Sequence, residues 1–284
     1  MKALIQCVGF IGDNLFASSV PKKLKEQGYT HVDLQLSIHQ PLELIMLNPF
    51  VDNVYLFETP SRSTYDKVVT LQPIHRKETP TIQFQQQCGI EATSSDYKIY
   101  TNQAIDAFAK PLLKEVAQGR RLVAYMSNWV EKTFGFTEEE YVRGIDVPNL
   151  GYGGRRRDVE YIINKLTDND SLYIFPVGMP AGFNQREVAL DGVSNFTLTA
   201  SLIKACDWFI GAEGGLANLA AGVGTKTIIT GDYVHQLYGW NGVIERNQEP
   251  KLGPKYYFEE EDHITLDPYL TDEQVIEHID KLIK

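Results

Sequence analysis

The chain has 284 residues, 43% of them hydrophobic and 23% charged. At about 150 residues per domain this is the length of two globular domains, and the composition excludes a disordered, collagen-like or coiled-coil protein. Acidic residues outnumber basic ones 37 to 27, for a net charge of −10, a field that disfavours sequence-independent nucleic-acid binding unless basic residues are locally concentrated.

No apolar run approaches ~20 residues, which argues against a membrane-spanning helix. Residues 1–9 lack the apolar segment and cleavage site of a signal peptide. Cys7, Cys88 and Cys206 are odd in number, far apart and without a Cys-x-x-Cys pair. A reducing, cytoplasmic location is expected, with Cys7 and Cys206 packed in apolar surroundings.

The chain opens with an apolar run at residues 3–8, expected as a strand, followed by a turn at residues 9–14. A helical pattern covers residues 15–27 and ends at Gly28, a suitable C-cap. Strand-like runs at residues 31–36 and 53–57 flank a helix near residues 41–47, which Asn48-Pro49 breaks. This alternation implies parallel βαβ units, whose sites gather at the carboxyl ends of strands. Residues 61–118 are less regular. They hold the run Val68-Val69-Thr70-Leu71, a Gln-rich tract at residues 83–87 and a helix over residues 102–117, and their spacing leaves the topology open.

A second alternating block begins near Ile145. The turn Gly151-Tyr152-Gly153-Gly154-Arg155-Arg156-Arg157 leads into a helix over residues 158–166, a strand at 172–177 and a helix at 199–205. A strand at 207–211, a helix at 216–222 and a strand at 227–230 follow. The chain ends in an amphipathic helix that Thr271 caps, with Val275, Ile276, Ile279, Leu282 and Ile283 on one face.

Two turns carry the chemistry. The apolar strand before Glu213 runs into Gly214 and Gly215 and then a small-residue helix that includes Asn218. Glycines there let backbone N–H groups approach a diphosphate, and the helix N-terminus favours its charge. Glu213 suits sugar or ribose hydroxyls. The plain alternative is a tight turn packed by Gly and Ala. Near the N-terminus, Asp13 follows the first strand beside Gly12 and Asn14; it is placed to act as a general base or, more simply, to cap a helix beginning near Leu15.

Arg155, Arg156 and Arg157, after Gly153 and Gly154, form the one dense basic cluster, suited to a diphosphate leaving group or to a solvated surface. Glu187 and His235 are further candidates. Asp168-Asn169-Asp170 has the form of a metal-binding Asp-x-Asp but sits at the amino end of a strand, so it reads as a turn. No metal or cofactor site is expected.

The segment from Glu213 to Thr225 resembles the C-terminal signature of the ADP-heptose:lipopolysaccharide heptosyltransferases. That signature has an Asp, a Ser or Thr, a Gly, two variable residues and a His, then Leu-Ala-Ala and Gly-Thr. Here Glu213, Gly214, Gly215 and Asn218 stand in those places, followed by Leu219-Ala220-Ala221 and Gly224-Thr225. Gly12-Asp13-Asn14-Leu15, Pro21, Leu24 and Leu47-Asn48-Pro49 follow the family's N-terminal order. The arginine turn is more weakly similar to turns of viral and phage glycosyltransferases.

The resemblance implies an α/β protein of GT-B type, with two Rossmann-like domains facing across a cleft. The expected division is an acceptor-binding domain at residues 1–140 and a donor-binding domain at residues 141–284, the last helix being free to pack back on the first. It further implies an inverting, metal-independent glycosyltransferase that takes a nucleotide-diphosphate sugar as substrate and a glycan such as lipopolysaccharide as acceptor, with Asp13 as base. One alternative is a phage-type enzyme acting on modified DNA bases, which calls for a basic stripe from Lys22, Lys23, Lys25, Arg62, Arg76 and Lys77. Another is a non-catalytic nucleotide-sugar-binding protein.

Overall fold

The computed structural model describes residues 1–9, 11–56, 60–72, 79–92, 97–126, 159–177, 196–211, 214–230, 262–266 and 270–283. The first part contains β1 (Lys2–Cys7), α1 (Ile11–Phe16), α2 (Val20–Glu26), β2 (His31–Leu36), α3 (Leu42–Ile45), β3 (Asn53–Leu56), β4 (Lys67–Leu71), α4 (Pro80–Gln87) and α5 (Gln103–Ala117). After these come β5 (Arg121–Tyr125), α6 (Val159–Thr167), β6 (Leu172–Pro176), α7 (Phe196–Lys204) and β7 (Trp208–Gly211). The last described elements are α8 (Gly215–Gly222), β8 (Lys226–Ile229), β9 (His263–Thr265) and α9 (Asp272–Ile283).

The described strands form two parallel sheets, ordered β3-β2-β1-β4 and β6-β5-β7-β8-β9. The α/β class and the two-sheet architecture expected from the alternating pattern are therefore present. In each sheet the chain moves out to one side and then returns to the other side of its first strand. The order reverses between β1 and β4 in one sheet and between β5 and β7 in the other, and ligands of open α/β sheets bind at such reversals, beyond the carboxyl ends of the strands.

Alternation within the strands explains the layering. Ala3, Ile5 and Cys7 of β1 and Val32, Leu34 and Leu36 of β2 are buried with Leu15, Phe16, Val20 and Leu24 of the α1–α2 segment. That same cluster continues into Ala124, Phe209 and Ile229 of the second sheet and Ala217, Leu219 and Ala220 of α8. A separate cluster on the second sheet joins Val123, Trp208, Ile210 and Ile228 to Ile162 and Ile163 of α6 and Val275, Ile279 and Ile283 of α9. The last helix thus packs with the second sheet, started by a capping box: Gln274 N–H donates to Thr271 Oγ1 and Thr271 N–H to Gln274 Oε1.

Three local expectations change. The first helix begins at Ile11, not Leu15, so Gly12, Asp13 and Asn14 lie inside it. Asn14 is fully buried and spends its amide on tertiary partners, which removes its usual competition with helical hydrogen bonding. A single helix over residues 15–27 also does not form. Pro21 has no N–H to give the Ala17 carbonyl, so Val20 N–H takes it and the chain tightens into a 3-10 turn at Ala17–Ser19. Finally, β5 and β9 were not anticipated, and β5 lies in the second sheet although it precedes residue 141.

Because one apolar cluster runs through both sheets, the two halves should unfold together. Leu15→Ala, which empties a fully buried site in that cluster, should cost about 2–5 kcal/mol and lower a single unfolding transition followed by far-ultraviolet circular dichroism. Two separated transitions, with only one moved by the substitution, would show that the halves are independent.

Candidate functional site

The site grows from the carboxyl ends of β1 and β7, the strands at the two reversals. Beyond β1 the chain passes Gly9 and enters α1. Gly9 has φ +142°, and any Cβ there would collide with the carboxyl group of Asp13. Glycine is therefore required on both conformational and steric grounds. Asp13, half-buried in the first turn of α1, folds its carboxylate back over the Gly9 backbone. The positive end of the helix favours a negative charge there, an effect typically worth ~0.3–1 kcal/mol. Burial above all, and the Asp13 charge next, push the Cys7 thiol far above its ordinary range, so Cys7 stays protonated and inert.

Asn14 points away from Asp13, into the protein. Its Nδ2 donates to the Gly9 carbonyl at 3.2 Å and to Ser37 Oγ at 3.0 Å, while Ser37 N–H donates to Asn14 Oδ1 at 3.2 Å. Ser37 Oγ also donates to the Gly9 carbonyl at 2.8 Å. Below this turn, a polar row crosses the sheet. Gln6 Oε1 accepts from Arg62 at 2.7 Å and from Thr70 at 3.1 Å, and Gln6 Nε2 donates to Gln35 at 2.5 Å.

Beyond β7, Gly214 precedes α8 with no side-chain cap, and a Cβ there would meet nothing within 4 Å. The first N–H groups of α8 have no intrahelical acceptor. This helix start lies against the first turn of α1. A Cβ on Gly215 would come within 2.6 Å of Ile11 Cγ2 and 3.7 Å of the Gly12 nitrogen, and one on Gly12 would strike Asn218 Nδ2. Two helix N-termini, each carrying partial positive charge, thus meet at contacts only glycine permits, with Asp13 beside them. Asn218 is 4% exposed, and its Oδ1 is buried without a hydrogen-bond partner among the described residues, a condition that typically costs ~1–3 kcal/mol unless a ligand donor answers it.

Among the sequence candidates the structure brings Gly12, Asp13, Gly214, Gly215 and Asn218 together, and it turns Asn14 inward. Gly153, Gly154, Arg155, Arg156, Arg157, Glu187, Glu213 and His235 lie outside the described residues. Asp168-Asn169-Asp170 falls between α6 and β6, with Asn169 Nδ2 donating to Asp280 Oδ1 at 3.1 Å. Among the described residues no group of three or more His, Cys, Asp or Glu is arranged to hold a metal ion.

Sequence reasoning missed Ser37 and Tyr97. Ser37 immediately follows β2, and the strand-end rule was signal enough to find it. Tyr97 had none. Its hydroxyl donates to the Asn218 carbonyl at 2.8 Å, and its ring lies 4.8 Å from that of Phe16. Ile99 N–H donates to the Gly222 carbonyl at 2.7 Å, where a Cβ on Gly222 would come within 2.5 Å of Ile99. Residues 97–99 therefore wedge α8 against the α1 segment, and burial raises the Tyr97 phenol well above its ordinary range.

No protein-family model and no curated protein matches the sequence. Among solved structures, a glycosyl transferase family 9 protein from Veillonella parvula DSM 2008 matches with a TM-score of 0.63 at 10% identity, over 99% of this chain and 97% of that one. E. coli ADP-heptose lps heptosyltransferase II gives 0.56 at 12% identity, over 100% and 98%. E. coli heptosyltransferase WaaC with ADP-2-deoxy-2-fluoro heptose gives 0.54 at 10% identity, over 99% and 100%. What is shared at such identity is architecture: the chain has the GT-B-like fold of these glycosyltransferases.

Proposed function

We propose that the chain is a glycosyltransferase that moves a sugar from a nucleotide-diphosphate donor to an acceptor hydroxyl with inversion, without a metal ion. The observation that carries this reading is the contact of the first turn of α1, which bears Asp13, with the start of α8 through Gly12, Ile11, Gly215 and Asn218. An acceptor O–H gives its proton to the Asp13 carboxylate as its oxygen attacks the anomeric carbon. The bond from that carbon to the diphosphate breaks, and the leaving charge falls on the free N–H groups at Gly215 and beyond. Asn218 Oδ1 supplies an acceptor for a donor hydroxyl. In this reading Arg155, Arg156, Arg157 and Glu213 bind the donor, with Glu187 and His235 as further candidates.

The acceptor is a glycan. Its class is suggested by the name of one matching structure, an ADP-heptose lps heptosyltransferase. The DNA alternative requires a basic stripe, of which Arg76 and Lys77 lie outside the described residues and the other four side chains are partnered. Lys22 and Lys23 face Glu26 at 3.8 and 3.7 Å, Lys25 pairs with Asp52 at 2.5 Å, and Arg62 is engaged by Gln6. No described helix is long and apolar enough to cross a membrane.

Two measurements test the proposal. A thermal-shift screen of nucleotide sugars, ADP-heptose among them, should find a donor that raises the unfolding midpoint; at about 100 times its Kd a donor adds ~2.7 kcal/mol. A chain that none of them stabilises is not a donor-binding protein. Asp13→Asn should lower kcat by about 10²–10⁴ while the same donor still stabilises the variant. Turnover at the unsubstituted rate would remove Asp13 from the chemistry.

A further inference from the structure

We infer that Ser37 and Asn14 are the positioning residues of Asp13, a clamp that sets where its carboxylate stands without touching substrate. The inference rests on the proposed role of Asp13 as the proton acceptor. The clamp works through the Gly9 peptide. Ser37 Oγ donates to the Gly9 carbonyl at 2.8 Å and Asn14 Nδ2 donates to it at 3.2 Å. The donors are themselves joined, because Ser37 N–H donates to Asn14 Oδ1 at 3.2 Å and Asn14 Nδ2 to Ser37 Oγ at 3.0 Å. The pair therefore ties the loop leaving β1 to the residue that follows β2.

What the clamp fixes is the floor beneath the carboxylate. The Cα of Gly9 lies directly under Asp13, so closely that a Cβ would collide with three of its side-chain atoms. Gly9 has no Cβ to restrict rotation about its Cα–C bond, so its own side chain does not hold the carbonyl in place. Rotation of its carbonyl away from the two donors would tilt the Cα surface on which Asp13 rests. Asn14 follows Asp13 directly in α1 and is fully buried, so the helix carrying the carboxylate and the loop beneath it are held at one point. Misplacing a reacting group by about 1 Å costs about 10²-fold in rate. Donor binding, which this reading puts at α8, does not depend on the clamp.

Ser37→Ala removes one hydroxyl and is the direct test, with ADP-heptose as donor and deacylated lipopolysaccharide core as acceptor. Release of ADP should show kcat lowered about 10- to 100-fold, with the donor KM and the unfolding midpoint near their original values. Ser37→Thr, which restores the hydroxyl, should recover most of the rate. A crystal structure of Ser37→Ala should show the Gly9 carbonyl turned and the Asp13 carboxylate displaced, a readout that needs no substrate. Unchanged kcat together with an unmoved Asp13 carboxylate overturns the inference, as does a loss in which kcat, KM and midpoint all fall and Ser37→Thr restores nothing. The underlying reading fails separately, when Asp13→Asn itself turns over normally.

Discussion

The proposed site depends on one close approach, between the first turn of α1 and the first turn of α8. The contact exists because glycine stands on each side of it. Gly12 leaves room for the buried amide of Asn218, and Gly215 leaves room for Ile11. A single methyl group would push against the buried amide of Asn218 at Gly12 and against the Ile11 side chain at Gly215. Both helices present their N-termini here, so the approach also concentrates partial positive charge that an anion would offset. The apolar cluster shared by both sheets holds the geometry from below, and the Tyr97–Ile99 segment holds it from the side.

The topology explains why the proposed site falls here among the described residues. Each sheet reverses its strand order once among the described strands, and each reversal opens a crevice at its carboxyl edge. Gly9 and Asp13 occupy one edge; Gly214 and Gly215 occupy the other. Packing α1 on α8 turns the edges toward each other, so a group held at one can react with a group held at the other. In the proposed reading the two edges are chemically asymmetric, the carboxylate on α1 taking a proton and the start of α8 accepting departing negative charge. Neither half contains both.

Much of this was legible in the residues alone. Strands β1, β2, β6, β7 and β8 are apolar runs bounded by turn residues, and α9 carries its capping signal in Thr271 and Gln274. Asp13, Gly214, Gly215 and Asn218 were marked by the strand–glycine–helix pattern. The start of α1 was not legible, because Gly12 and Asn14 are turn formers on local grounds and only their tertiary partners make them helical. Strand β9 is too short for any periodicity, and β5 follows a charged pair. Each is defined by the strands it bonds to: β5 by β6 and β7, β9 by β8. Ser37 was findable from its place at the end of β2, whereas the role of Tyr97 depends on contacts with residues distant in the chain, which no spacing rule encodes.

The central claim is that α1 and α8 meet through Gly12 and Asn218, and a double-mutant cycle on that pair measures it. In an exposed helix Gly→Ala stabilises by about 1 kcal/mol. At Gly12 the sign should reverse, and Gly12→Ala should destabilise the protein in urea unfolding. Combined with Asn218→Ala, which clears the space that the new methyl group needs, most of that loss should vanish, giving a coupling energy of about 0.5–3 kcal/mol. Strictly additive substitutions, with Gly12→Ala neutral or stabilising, would mean that the two helices do not meet there and that the site described between them does not exist.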